Sequence, residues 1–335
     1  MSTTLPATLS QFTIADPVKV SGFGRPQNTP FDLNACFAEF LRRIVPTSPA
    51  YLAAKHAAMM IGKDLCSEFY RNARIDVAET DHIVAGSVGK RTAIAPIRVV
   101  DVLYVLPPKL EVAKAIDALK IVLAVLNDKH PVACIAEDYS GVLVAVDGLA
   151  VKVVPCLPYE GAFLVPGSVS TERPSGWSLT NPIAEAATLR LMDSMYGNRP
   201  RLMLAALKAW RAHNGVAISS FALELLTMDF YTSAPRSFSL APALVDFWAW
   251  SRKRTPVTLK PPGASTSVVI DDVWHGKAKA AYWRSTMAEY HIGQDKMIEA
   301  ALEWRQTLGP LFPVPGEEID ALPMFPSNRR KASAA

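Results

Sequence analysis

The sequence predicts a bilobal α+β protein, with a mixed β-sheet core lobe followed by a C-terminal helical lobe. Three observations carry this reading. Strand-like apolar runs fall within residues 82–156, helical patterns dominate beyond residue 183, and a Gly/Pro/Ser-rich stretch from Pro158 to about Pro182 separates the two blocks. Of 335 residues, 50% are hydrophobic and 20% charged, which supplies two cores and excludes global disorder.

The elements follow in chain order. Residues 1–30 hold several Pro, Gly, Ser and Thr without a period and read as an extended arm. Asp32 or Asn34 caps a helix running to about Ile44. A longer helix is expected from Pro49 to Tyr70, with Leu52, Met59, Met60, Leu65 and Phe69 as its core-packing set. Residues 82–86 read as a strand broken by Gly86-Ser87, and residues 99–106 as a second strand. Val112, Ile116, Leu119, Leu123 and Leu126 space an amphipathic helix over 109–128. Residues 131–138, 141–146 and 149–156 read as strands, with Asp147-Gly148 as a hairpin turn between the last two. Pro158–Pro182 reads as a loop leading away from the sheet. Helices are expected over 183–196, 199–213, 217–230, 238–252 and 275–308, with 255–267 as a connecting loop. The expected division is 1–165 for the N-terminal helices and core lobe, 166–325 for the helical lobe, and 326–335 for a flexible tail.

Charge and cysteine usage narrow the function. Thirty-five basic against 31 acidic residues leave +4, which tolerates a polyanionic ligand without demanding nucleic acid, so nucleic acid is not an expected partner. The four cysteines form no CxxC pair and the six histidines lack ligand spacing, which argues against a zinc ribbon. No run of about 18 uncharged apolar residues and no basic-then-apolar leader is present, so a cytoplasmic protein without a membrane span is expected. Arg329, Arg330 and Lys331 read as a solvated basic tail, and Trp177, Trp210 and Trp304 as packing residues.

The segment AGSVGKRTAIAPIRVVDVLYVLP (85–107) resembles the signature of template-independent nucleotidyltransferases, and more narrowly the CD-NTase or cyclic GMP-AMP synthase-like group of SMODS type. That pattern is a strand, a Gly-Ser opening a short helix, a strand bearing Asp-x-Asp, and a third Asp in a run such as Val-Asp-Val-Val-Pro. GWSLTNP (176–182), LKAWRAHNGVAISSFALELL (207–226) and EWRQTLGPLFP (303–313) resemble further family segments, in the family's order. The resemblance implies the bilobal nucleotidyltransferase fold, a cytoplasmic setting and bacterial antiviral signalling.

Nucleotidyl transfer of this type requires two magnesium ions, and magnesium requires clustered oxygen ligands. A Gly-Ser turn at a helix start presents backbone N–H groups to a triphosphate. This chain keeps Gly86 and Ser87 but alters the acids. With Asp101 as the second Asp of Asp-x-Asp, the first position holds Val99 and the third holds Lys152. Valine cannot ligate a metal. At ~4 Å and an effective dielectric near 20, two unit charges interact by roughly 4 kcal/mol, so an ammonium offsets what one carboxylate supplies. Asp138 ends a strand before a turn, Asp147 sits in a tight turn, and Glu79 and Asp81 precede the first strand, so none is a convincing replacement. Lys152 either pairs with Asp101 or neutralises a bound phosphate, and the two roles can coexist. By resemblance, Lys208 and Ser220 are phosphate contacts from the helical lobe. A solvated Lys208, a capping Ser220 and a phosphate role for Ser219 are the alternatives.

The leading expectation is a catalytically degenerate pseudo-nucleotidyltransferase. Its nucleotide-binding set is Gly86, Ser87, Lys152, Lys208 and Ser220, with Asp101 the sole surviving catalytic acid. Its partners would be a nucleotide, an oligonucleotide messenger or a protein of an antiphage system, with no cofactor. The alternative is an active synthase making cyclic or linear oligonucleotides from ATP or GTP, which would need Mg2+ at Asp101.

Overall fold

The computed structural model describes residues 32–69, 82–108, 110, 112–167, 175–234, 239–264 and 266–315. The N-terminal arm, Glu79, Asp81 and the basic tail lie outside them.

Helix α1 (Leu33–Ile44) starts at Asp32, whose carboxylate accepts from the Asn34 N–H at 2.9 Å. Its buried face, Phe37, Phe40, Leu41 and Ile44, belongs to the helical lobe's core, where Phe37 meets the Trp304 ring edge-on at 4.8 Å. A helix expected with the core lobe by its place in the sequence therefore packs with the other lobe. Helix α2 (Ser48–Phe69) lies on the sheet through Ala54, Ala57, Ala58, Ile61 and Leu65. Leu52, Met59 and Met60, expected in the core, are exposed instead. Helical spacing explains this, because Tyr51, Ala54, Ala58, Ile61 and Leu65 form the buried face and residues 52, 59 and 60 fall off it. At Gly62 the approach is close, since a Cβ there would come within 2.7 Å of the His82 ring.

The sheet is mixed. Strand β1 (His82–Ala85) is followed by the short helix α3 (Gly86–Gly89), then by β2 (Val99–Val105), helix α4 (Ala115–Asn127), β3 (Cys134–Ile135), β4 (Val142–Val146), β5 (Leu149–Tyr159), β6 (Ala162–Pro166) and β7 (Trp177–Thr180). The order is β1-β2-β5-β4-β3, with β6 paired to the far half of β5 and β7 to β6. Among the described strands of this sheet, only β2 and β5 run parallel. Val100, Val102, Val151 and Val153 bury one face under α2 and α4. The alternate residues Leu103, Val154 and Cys156 form a small cluster on the other face.

Three expectations change here. Helix α4 begins at Ala115 rather than 109, because Ala115 N–H donates to Ser175 O and Trp177 Nε1 donates to Ala113 O, drawing residues 113–115 into contact with the β7 entry. The strand expected over 131–138 shrinks to Cys134–Ile135. The supposed loop after Pro158 contains β6 and β7. Glu160 and Gly161 both adopt positive φ, 46° and 76°, forming a second two-residue hairpin like that of Asp147 and Gly148, 48° and 80°.

The helical lobe comprises α5 (Pro182–Tyr196), α6 (Arg199–Asn214), α7 (Ser220–Ser233), α8 (Leu240–Arg254), α9 (His275–Ile292) and α10 (Met297–Leu308). The helix expected over 275–308 is broken at residues 293–296, where Asp295 sits at φ 56°. The 255–267 connection contains β8 (Val257–Leu259), which pairs with β9 (Val268–Ile270). Trp210, Trp248, Trp274 and Trp304 are all fully buried in this lobe's core.

Candidate functional site

The site is assembled on β2 and β5. Their parallel register sets Asp101 directly against Lys152 and Val99 against Ala150, while β1 sets Ala85 against Asp101. The side-chain period of two puts Val99 and Asp101 on the same face. Lys152 Nζ lies 3.0 Å from Asp101 Oδ1, and both side chains are about one quarter exposed. Of the two roles weighed for Lys152, the pairing is the one this structure holds.

Gly86 is required by Asp101. It opens α3 at φ 57°, and a Cβ there would lie 2.0 Å from the Asp101 carboxylate oxygen. The carboxylate thus rests against the Gly-Ser turn. Gly141 plays the matching part for Lys152, since a Cβ there would come within 2.8 Å of the lysine stem. Asp138 also faces this site. It accepts from the Ser140 hydroxyl at 2.6 Å, and Lys152 Nζ is 3.5 Å from the same hydroxyl. The Ser140 hydrogen bonds and the nearby Lys152 charge hold Asp138 below the usual carboxylate range, against a smaller burial effect. The local charges are therefore two carboxylates around one ammonium.

These residues do not fit a two-metal centre. Val99 presents methyl groups at the site's outer edge, and Lys152 occupies one of the Asp101 oxygens. Among the described residues, no group of three or more His, Cys, Asp or Glu side chains could hold a metal ion.

Lys208, expected as a solvated residue or as a phosphate contact across the cleft, is buried at 6% exposure. Its ammonium donates to Thr92 O at 2.8 Å and to Thr92 Oγ1 at 2.9 Å. Burial pushes its pKa down to about 8, helped by Lys90 and Arg211 and opposed by Glu224 and Asp101. Thr92 and Ala93 in turn donate their amides to Ser87 O, at 2.8 and 3.1 Å. Lys208 thus reaches the Gly-Ser turn through Thr92. Ser219, not Ser220, caps α7 by accepting from the Ala222 N–H at 3.0 Å, which also commits the hydroxyl weighed as an alternative phosphate contact. Ser220 is the half-buried first residue of that helix.

Sequence reasoning missed the strongest ionic group near the site. Lys90, immediately after α3, donates to Glu185 of α5 at 2.9 Å and to Glu224 of α7 at 2.5 Å, and all three are buried. Burial works against the Lys90 charge, but the two carboxylates outweigh it and raise its pKa. Glu185 also accepts from Thr180 Oγ1 at 3.1 Å. Glu224 is the acid of the Ser-Phe-x-x-Glu run, so one partner carried a signal. The other two become neighbours only when the lobes dock.

No protein-family model matches this sequence, and no curated protein matches it. Solved structures do. CdnC of E. coli MS115-1, determined with ATP, superposes with a TM-score of 0.67 at 14% identity, over 84% of this chain and 98% of that one. The same protein in its HORMA-deltaN complex gives the same values. Vibrio cholerae DncV, a cyclic AMP-GMP synthase held with the linear intermediate 5′ pppA(3′,5′)pG, superposes with a TM-score of 0.63 at 11% identity, over 82% and 94%. The chain therefore has the bilobal fold of these CD-NTase, cyclic GMP-AMP synthase-like nucleotidyltransferases.

Proposed function

We propose that this protein is a degenerate nucleotidyltransferase that binds a nucleotide or short oligonucleotide in its cleft without the two-metal reaction, and that it serves bacterial antiviral signalling in the cytoplasm. The observation that carries this reading is the Asp101–Lys152 pair, an ammonium seated against the one carboxylate that remains of the acidic set. Among the described residues no helix is long and apolar enough to cross a membrane, which accords with that setting. The neighbours' ligands support a nucleotide, and the CdnC complex with HORMA-deltaN supports a protein partner as well.

The cleft binds through the residues that the family uses for phosphate. The Gly86-Ser87 turn offers amides and a hydroxyl, with Ser220 near the start of α7. Lys152 supplies the charge that magnesium supplies elsewhere. A partly exposed ion pair contributes only about 0–1 kcal/mol, so Lys152 leaves Asp101 for a phosphate at small cost. Lys208 acts from behind, holding Thr92 and hence the Ser87 carbonyl.

The test is incubation with all four nucleoside triphosphates and magnesium or manganese, with calorimetric binding on the same sample. The expected result is binding without product. Affinity should persist in EDTA and fall with salt. Lys152→Ala should weaken it by about 1–3 kcal/mol, the range for a charge-assisted hydrogen bond. Robust metal-dependent product from the unaltered protein would overturn the proposal in favour of an active synthase. Absence of binding to mononucleotides and cyclic oligonucleotides at millimolar concentration would leave a protein-binding scaffold.

A further inference from the structure

Helix α9 carries an apolar row that the helical core leaves uncovered. Ala278, Ala281, Ser285 and Ala288 turn inward. Ala280, Trp283, Met287 and Tyr290 follow one another at steps of three, four and three, so they share the opposite side of the helix. All four are exposed, Trp283 at 56% and Tyr290 at 59%. Single exposed apolar residues are ordinary, but a Trp, a Met and a Tyr in one row along about 15 Å of helix mark a docking surface. The other six tryptophans are buried or, for Trp250, half-buried.

The charges beside the row select its occupant. Helix α9 holds Lys277, Lys279 and Arg284 against a single acid, Glu289. Burial and the charge of Asp246 on α8 raise the Glu289 pKa, which places that acid toward α8 and away from the row. A second copy of the row would set basic flanks against basic flanks, and such like-charge contact disfavours self-association. A segment that is both acidic and apolar suits the surface.

The chain supplies one. Residues 317–325, EEIDALPMF, hold three acids, no base, and the apolar side chains of Ile319, Leu322, Met324 and Phe325. They lie just beyond Pro315, the last described residue. The chain approaches Pro315 along α10, where the Phe312 ring stacks on Trp304 with centroids 6.5 Å apart. Helix α10 is the neighbour of α9, joined to it by the 293–296 link and by Arg284 Nη1 on Glu303 Oε2 at 3.0 Å. The ten residues from Gly316 to Phe325 reach up to about 33 Å when extended, enough to cross the roughly 8–10 Å between packed helices and run the length of the row.

We propose that residues 317–325 dock on this row of α9. Their apolar side chains cover Trp283, Met287 and Tyr290, and their acids face Lys277 and Lys279. The surface is separate from the Asp101–Lys152 site and does not depend on how that site is read.

Acrylamide quenching of tryptophan fluorescence in the full chain tests this. Trp283→Phe is measured alongside, so that the difference isolates Trp283. The expected result is a shielded Trp283 in the parent. Its quenching constant should rise about threefold or more when Ile319→Asp, Leu322→Asp and Phe325→Asp are combined, the change expected if the segment is docked most of the time. Lys277→Glu with Lys279→Glu should raise it too, as should added salt. Ile319→Leu with Leu322→Ile keeps the apolar character and should leave Trp283 shielded. The proposal is overturned if Trp283 in the parent is quenched as freely as N-acetyltryptophanamide, or if the three aspartates leave it shielded. Exposure by dilution instead of by those substitutions would also overturn it, with a second copy as the occupant.

Discussion

At position 152 a single residue changes what the fold can do. A carboxylate there would join Asp101 in recruiting a cation, and on the proposed reading the ammonium takes an anion instead. The lysine stem lies over Gly141, and its ammonium reaches Asp101. Restoring the acids should therefore reverse the preference. Val99→Asp with Lys152→Asp is expected to bind manganese measurably by calorimetry or paramagnetic relaxation where the parent does not. Failure of the folded double variant to bind metal would mean that backbone placement, and not charge alone, has drifted from a metal site. Lys208 supplies a second prediction at this scale. Its pKa is near 8 in the fold and ordinarily 10.5, so between those values the unfolded chain carries more protons than the folded one. Stability should rise with pH across that window, and Lys208→Met should lose the rise. Urea denaturation of both proteins at the two ends of the window tests the sign.

Among the elements, α3 and the loop that follows it carry the connection between lobes. The loop is tied to α5 and α7 through Lys90 and to α6 through Lys208 and Thr92. Removing one member of a buried ionic group leaves uncompensated charge, typically about 3–5 kcal/mol. Lys90→Met, which strands two carboxylates, is expected to destabilise by about that amount in urea denaturation. Glu224→Gln keeps a hydrogen-bond acceptor and should cost about 1–3 kcal/mol. Equal, small effects for both would show that the group is solvated in solution. Helix α2 illustrates a case governed by periodicity. Its exposed Leu52, Met59 and Met60 lie off the face that Tyr51, Ala54, Ala58, Ile61 and Leu65 bury at helical spacing.

Across the whole molecule, the described residues join the lobes at helix α1, at the Lys90 group and at the Lys208–Thr92 contact. Helix α1 crosses to the helical core, and the Lys90 group joins the two cores from inside. These contacts should couple the lobes, and calorimetry of the unaltered protein is expected to give one unfolding transition. Two well-separated transitions would show that the contacts do not link the lobes energetically.

Much of this architecture was legible in the residues because its signals are local. The spacing of apolar residues marks most of the helices, Asp147-Gly148 marks its hairpin, and Gly86-Ser87, Val99, Asp101 and Lys152 stand in a recognisable order. Helix and strand periods, turn residues and caps act over a few positions, so a linear reading finds them. The Glu160-Gly161 hairpin was hidden because Pro158 and the Gly-rich run beyond it carry loop chemistry, while the strands there are held by pairing with β5 and β7. The Asp101–Lys152 contact depends on a parallel register between strands about 50 residues apart in sequence; the mixed sheet was expected, but that register is read only in three dimensions. The sequence by itself determined the two-lobed class and that Val99, Asp101 and Lys152 stand at the positions where the resemblance expects three acids. Only the tertiary structure decided that Lys208 is buried on Thr92 and that Lys90 joins two distant glutamates. Each of those facts is a free-energy balance between desolvating a charge and pairing it, and that balance exists only once distant elements have packed together.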